Sequence, residues 1–162
     1  MKRQFARRLK KKTDYKKRLA LVRSNKPRLV VRRSLNNFHV QVVKYNPNGD
    51  NVVLENVSSN LKKYGWKAHC GNIPSAYLIG LLVGNQLLDM DIREVVLDIG
   101  LQISTKHNSL YAVAKGVRDA GVQIKVNDAV VPDDSKVRGD AIALYAKKLK
   151  QNEEGYKKQL SS

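Results

Sequence analysis

The chain has 162 residues, 42% of them apolar and 28% charged, with a formal charge of +17 and an isoelectric point near 10.1. That length supports one domain with a core of its own. One cysteine, Cys70, rules out an internal disulfide framework and points to a reducing compartment, the cytoplasm. The longest apolar stretch, Ile73 to Leu88, is too short to span a bilayer and is broken by Pro74, Ser75, Asn85 and Gln86. The basic N-terminus lacks the apolar run of a signal peptide.

The charge is unevenly placed. Residues 1–33 hold fifteen Lys and Arg against one acid, Asp14, whereas residues 34–162 hold sixteen against thirteen. A nearly balanced body with a dense basic arm calls for a partner that carries a regular array of negative charge. Nucleic acid fits best. A membrane would want more bulky apolar anchors than Phe5, Leu9, Tyr15, Leu19, Leu21 and Val22 supply. A solubilising tail would more effectively be acidic.

In chain order, residues 1–12 carry too much like charge to fold alone and are expected to be extended until a partner orders them. Thr13 offers an N-cap and Asp14 suits the first turn of a short helix from about Asp14 to Arg23, with Tyr15, Leu19 and Val22 on one face. Lys26 to Lys44 then reads as a hairpin: Arg28 to Arg33, a polar turn from Ser34 to Asn37, and an alternating strand from Phe38 to Tyr45. Phe38, Val40, Val42 and Lys44 share one face of that strand; His39, Gln41, Val43 and Tyr45 share the other. The Asn46-Pro47-Asn48-Gly49-Asp50 turn leads to a third strand, Asn51 to Val57, completing an antiparallel meander.

Residues 58–72 are polar and irregular, with Lys62, Lys63, Tyr64, Trp66, Lys67 and His69 interleaved. This suits phosphate contact and base stacking; Trp66 as a plug for the core beneath a loop fits equally well. A helix follows from Ile73, with Pro74 in its first turn and Gly80 and Gly84 one turn apart, expected to allow close packing on the sheet. Glu94 to Gly100 reads as a central buried strand, Leu101 to Ser109 as a loop, and Leu110 onward as a helix capped by Asn108 or Ser109 and stopped by Gly121. Val122 to Val126 suggests a last short strand. A final helix starts near Val137, and the tail after Gln151 is expected to fray. The elements give an α/β fold in which an antiparallel meander and parallel strands form one mixed sheet with packed helices. Its divisions are a basic arm and short helix (1–24), an RNA-binding body (25–150) and a frayed tail (151–162).

No catalytic or metal motif stands out. His39, His69 and His107 are scattered, and no G-x-S-x-G or phosphate-loop glycine pattern occurs. Neither a metal nor a cofactor is expected. Asp98, with Asp128, Asp133, Asp134 and Asp140, leaves a metal-dependent RNA nuclease of ribonuclease H-like architecture as the enzymatic alternative. The competing reading, that Asp98 tethers its loop through backbone N–H groups, is preferred. Arg138-Gly139-Asp140 is a chance adhesion tripeptide. The basic system remains: Arg3, Arg7, Arg8, Lys10, Lys11, Lys12, Lys16, Arg18, Arg23 and Lys26 on or beside the arm, Arg28, Arg32 and Arg33 on the hairpin, and Lys62, Lys63 and Trp66 beyond it. Tyr15, Asn36, Asn37 and Phe38 are candidates for stacking and shape contacts.

Five ordered runs resemble the archaeal form of the large-subunit ribosomal protein eighteen family: T-D-Y-K-K-R-L-A-L-V-R-S-N-K-P-R-L-V-V-R-R-S from Thr13, C-G-N-I-P-S-A-Y-L-I-G-L-L from Cys70, L-D-I-G-L from Leu97, K-G-V-R-D-A-G from Lys115 and V-P-D-D-S-K-V-R-G-D from Val131. The resemblance covers about residues 8 to 150. It implies a non-enzymatic constituent of the large ribosomal subunit that binds 5S ribosomal RNA in the central protuberance, with 23S ribosomal RNA and neighbouring ribosomal proteins as further partners. It also implies a fold akin to ribonuclease H without its catalytic carboxylates. On this resemblance the arm and hairpin, including Arg28, Arg32, Arg33, Asn36 and Asn37, face RNA, as does the Ser104–Asn108 loop with Lys106, His107 and Asn108.

Overall fold

A computed structural model describes residues 6–10 and 12–151. Its centre is a five-stranded mixed sheet in the order β3-β2-β1-β4-β5. Strands β1 (Arg28–Arg33), β2 (Phe38–Lys44) and β3 (Asn51–Val57) form the antiparallel meander. Strand β4 (Glu94–Asp98) lies parallel to β1, and the short β5 (Gln123–Ile124) parallel to β4.

The hairpin register follows from the hydrophobic alternation. Leu29 sits opposite Val42, Val31 opposite Val40 and Arg33 opposite Phe38, so one face gathers Leu29, Val31, Phe38, Val40 and Val42. A one-residue slip would send all five to the other side. Val43, opposite Arg28 on the other face, is buried too, and the β2–β3 register shifts by a bulge between Val42 and Val43.

Helices α3 (Ile73–Asp89) and α4 (Ser109–Asp119) cover that apolar face, α3 over β2 and β3 and α4 over β1 and β5. Asn72 caps α3 by accepting from the Ser75 N–H, Pro74 occupies the first turn, and Asn108 caps α4. The chain leaves α4 through Ala120 and Gly121, whose φ of +108° is the left-handed geometry expected of it. Gly80 and Gly84 serve a different contact from the one expected. A Cβ on Gly80 would meet the Val113 carbonyl at 2.2 Å, and one on Gly84 would meet the Ala120 Cβ at 2.5 Å. Gly116 of α4 answers them, its Cβ position 2.2 Å from the Tyr77 carbonyl. These glycines let two helices touch backbone to backbone, and the sheet packs against other residues.

Four more expectations are corrected in detail. Ala6–Leu9 forms one helical turn, α1, where extended chain was expected. Helix α2 (Tyr15–Val22) is capped by Asp14, which accepts from the Lys16 and Lys17 N–H groups; Thr13 is not the cap. Ser58–Tyr64 is a 3-10 helix ending at Gly65. The final helix is two: α5 (Asp134–Arg138) stops at Gly139, with φ +82°, and α6 (Asp140–Gln151) begins beyond it. The expected fraying tail, apart from Gln151 at the end of α6, lies outside the described residues.

Candidate nucleic-acid interface

The sheet face turned away from α3 and α4 carries the charge. Alternation puts Arg28, Val30 and Arg32 of β1 on it, and the parallel register with β4 brings Asp98 alongside Val30. Arg28 is 5% exposed and donates from Nη1 to Asp98 Oδ2 at 3.0 Å and from Nη2 to Asp50 Oδ2. Arg18 of α2 reaches the same Asp50 oxygen at 2.8 Å. Arg32 folds back, donating to the Val31 and Asp98 carbonyls at 2.8 and 2.7 Å and pairing with Asp98 Oδ1 at 3.3 Å. Asp98 Oδ1 also accepts from the Gly100 N–H at 2.9 Å, the loop tether preferred from sequence. Two carboxylates thus join three arginines across α2, the β2–β3 turn and the sheet. Taking Arg28 and Asp98 out of water is tolerable only because each is paired and hydrogen-bonded.

This arrangement corrects part of the expected interface. Arg28 is committed inward, and Arg32 spends its guanidinium on its own chain. Phe38 is fully buried in the core, so its ring offers no free face to a base; Arg33 lies over it at 5.9 Å. Burial in the alternating pattern, more than residue type, decides these positions. The same geometry removes the ground for a nuclease: Asp98 is occupied by two guanidinium groups and a loop N–H. Asp128, Asp133 and Asp134 pair with Arg118, Lys136 and Lys115.

What remains exposed is still strongly basic. Among the described residues, Lys10, Lys12, Lys16, Lys17, Arg23 and Arg33 are exposed and have no acid within ion-pair distance. Lys17, absent from the expected set, belongs with them. Arg7 donates to Thr13 Oγ1 at 3.0 Å, and Lys26 pairs with Glu94. Tyr15 is half-buried on α2. Arg3 and Lys11 lie outside the described residues, and of Arg8 only its backbone in α1 is described. A cleft of about 880 Å³ runs between the arm and the open sheet face, with Arg7, Lys12, Lys17, Arg18, Arg28 and Arg32 in its walls against Asp14, Asp50 and Asp98.

Three loops meet where β1 and β4 end. In the hairpin turn, Ser34 and Asn37 exchange backbone and side-chain hydrogen bonds, leaving Leu35 92% exposed and Asn36 exposed. Gln102 of the β4–α4 loop donates to the Arg33 carbonyl at 3.1 Å. In the loop after the 3-10 helix, a Cβ on Gly71 would sit 3.1 Å from the Leu35 carbonyl. Lys62, Lys63, Lys67 and Lys106, on these loops and the 3-10 helix, are exposed. His107 and Asn108 work inside it. His107 adopts φ +57° and binds the Val130 and Val131 carbonyls through its N–H and ring, while Asn108 caps α4. Asn37 is half-buried, its Oδ1 accepting from the Ser58 hydroxyl. Trp66 is half-buried and packs on the core edge.

Comparison of the sequence with known proteins gives two concordant matches. A family model described as "Ribosomal large subunit proteins 60S L5, and 50S L18" matches residues 1–93. The large ribosomal subunit protein uL18 of Methanococcus maripaludis is 45% identical over 157 residues, covering 97% of this chain and 81% of that protein. The chain therefore belongs to the family of large-subunit ribosomal proteins comprising 60S L5 and 50S L18, which are structural parts of the cytoplasmic ribosome and not enzymes.

Proposed function

We propose that this protein binds 5S ribosomal RNA and helps to anchor it in the central protuberance of the large subunit, with 23S ribosomal RNA and neighbouring ribosomal proteins as further contacts. The observation that carries the reading is the division between spent and unspent charge. Arg28 is buried between Asp50 and Asp98, and Arg18 and Arg32 pair with the same two acids, whereas among the described residues Lys10, Lys12, Lys16, Lys17, Arg23 and Arg33 are exposed with no acid within ion-pair distance. Exposed cations without acids repel one another unless a polyanion neutralises them. The preformed sheet and helices supply a rigid platform; the arm supplies most of the phosphate contacts, which set affinity and salt dependence.

The test is a gel-shift titration with 5S ribosomal RNA and an unrelated RNA of equal length, across a range of salt. Preference for the 5S RNA is expected. A chain lacking residues 1–12 loses seven Lys and Arg. Its log affinity should fall less steeply with log salt, by about 0.7 for each phosphate contact removed. Equal affinity for both RNAs overturns the 5S assignment, and an unchanged slope overturns the role of the arm.

A further inference from the structure

On the far side of the protein from the arm's cleft, a second pocket of about 350 Å³ opens between the 3-10 helix and α3. It is lined by Leu61, Tyr64, Gly65, Trp66, Leu78, Leu82 and Asn85. Gly65, with φ +89°, turns the chain sharply, and this sets the two neighbouring aromatics as walls of the same hollow. Tyr64 is 69% exposed, and Trp66 is half-buried with one edge on the core. Leu61, Leu78 and Leu82 form an apolar floor, and the exposed Asn85 places one amide, both donor and acceptor, at the edge. Lys62, Lys63 and Lys67, next to these lining residues in the chain, are exposed, and residues 58–72 contain no Asp or Glu.

We propose that this pocket takes one unstacked nucleobase of RNA, held against Tyr64 and Trp66, while Lys62, Lys63 and Lys67 hold the phosphates on either side. The inference rests on the reading that the protein binds RNA, and it adds a site separate from the arm. An aromatic pair over an apolar floor gives a base a stacking surface, which any base can use because every base has a π-face. The single amide gives the base edge a hydrogen-bonding partner without imposing a full sequence code. The lysines flanking the lining residues in the chain decide between occupants. An apolar side chain of a neighbouring protein would fit the floor and gain nothing from three unopposed cations, whereas a looped-out nucleotide brings a phosphate on each side. Fully paired RNA presents its bases edge-on and stacked, and cannot enter.

Trp66 is the only tryptophan in the chain, so its emission reports on this pocket alone. The full-length protein is titrated with a short oligoadenylate and, separately, with an RNA duplex of the same length, while binding of 5S ribosomal RNA is followed by gel shift in parallel. Oligoadenylate is expected to quench Trp66 and the duplex to leave its emission nearly unchanged. Tyr64→Ala, at a position exposed enough to keep the fold, is expected to weaken oligoadenylate binding about five- to 150-fold. Tyr64→Phe, which keeps the ring, is expected to bind as the parent does. If the protein shifts 5S RNA but neither quenching nor the Tyr64→Ala loss appears, the pocket assignment fails and the ribosomal RNA reading stands. Equal quenching by duplex and oligoadenylate overturns the requirement for an unstacked base. If no RNA is bound at all, both readings fall.

Discussion

Asp98 is the residue whose removal should cost most outside the apolar core. Its carboxylate receives Arg28 at 3.0 Å, Arg32 at 3.3 Å and the Gly100 N–H at 2.9 Å. The Arg28 and Asp98 side chains are only 6% and 10% exposed, so the pair sits where solvent screens little. Asp98→Ala leaves Arg28 buried with half its compensation, and the expected loss is about 3–5 kcal/mol, a large share of the roughly 5–15 kcal/mol that holds a domain of this size. Asp50→Ala should cost less, because Asp50 is 24% exposed and Arg28 keeps Asp98. The double change Arg28→Met with Asp98→Leu removes both charges and roughly preserves volume. It should recover most of the loss, because an apolar pair needs no compensation. Urea unfolding followed by far-ultraviolet circular dichroism measures all three. A loss below about 1 kcal/mol for Asp98→Ala, or a double variant no more stable than the single, would refute the view that this pair is a buried internal bridge.

The remaining expectations are narrower. Gly116→Ala places a methyl 2.2 Å from the Tyr77 carbonyl, so α3 and α4 must part; a loss of about 1–3 kcal/mol or more is expected in the same unfolding assay. Gly100→Ala sets a side chain at φ +62° and 2.8 Å from the Arg32 guanidinium, and should lower the melting temperature while freeing Arg32 from Asp98. Burial, with the hydrogen bond to Asp119 behind it, raises the Tyr77 hydroxyl above its ordinary pKa of 10.0. The folded state therefore keeps that proton where the unfolded chain loses it. Stability from this group is whole below pH 10 and declines as pH rises through the folded value. Melting curves of the parent should fall more steeply than those of Tyr77→Phe over that alkaline range. The Lys115 hydrogen bond lowers the Asp134 pKa, so its contribution is present above the ordinary carboxylate value and fades as pH falls through the depressed one. Lys115→Met should blunt the acid sensitivity of melting.

The meander and α3 were legible because their signals are periodic. Leu29 and Val31 alternate with Arg28, Val30 and Arg32, and Asn46 to Asp50 holds the expected turn, with Asn46 accepting from the Asn48 and Gly49 N–H groups. Asn108 and Gly121 announced both ends of α4. Pairings across the chain were not legible. Nothing local in β1 tells that Arg28 meets an aspartate seventy residues later, or that Asp50 leaves its turn to bridge two arginines. Residue type alone made every arginine on the hairpin a candidate for RNA; the parallel register with β4 divides them into internal ties and free cations. The helix-to-helix role of Gly80 and Gly84 was hidden for the same reason, since their partners, Val113 and Ala120, lie on another element.

The strand order carries a consequence for biosynthesis. The first strand to leave the ribosome, β1, ends in the middle of the finished sheet, yet one of its two edges stays open until β4 has been made. At translation speeds of about 5–20 residues per second that interval lasts several seconds. Throughout it Arg28 has no Asp98 to meet, and the growing chain shows an unsealed, cationic edge whose charge discourages two nascent copies from zipping together.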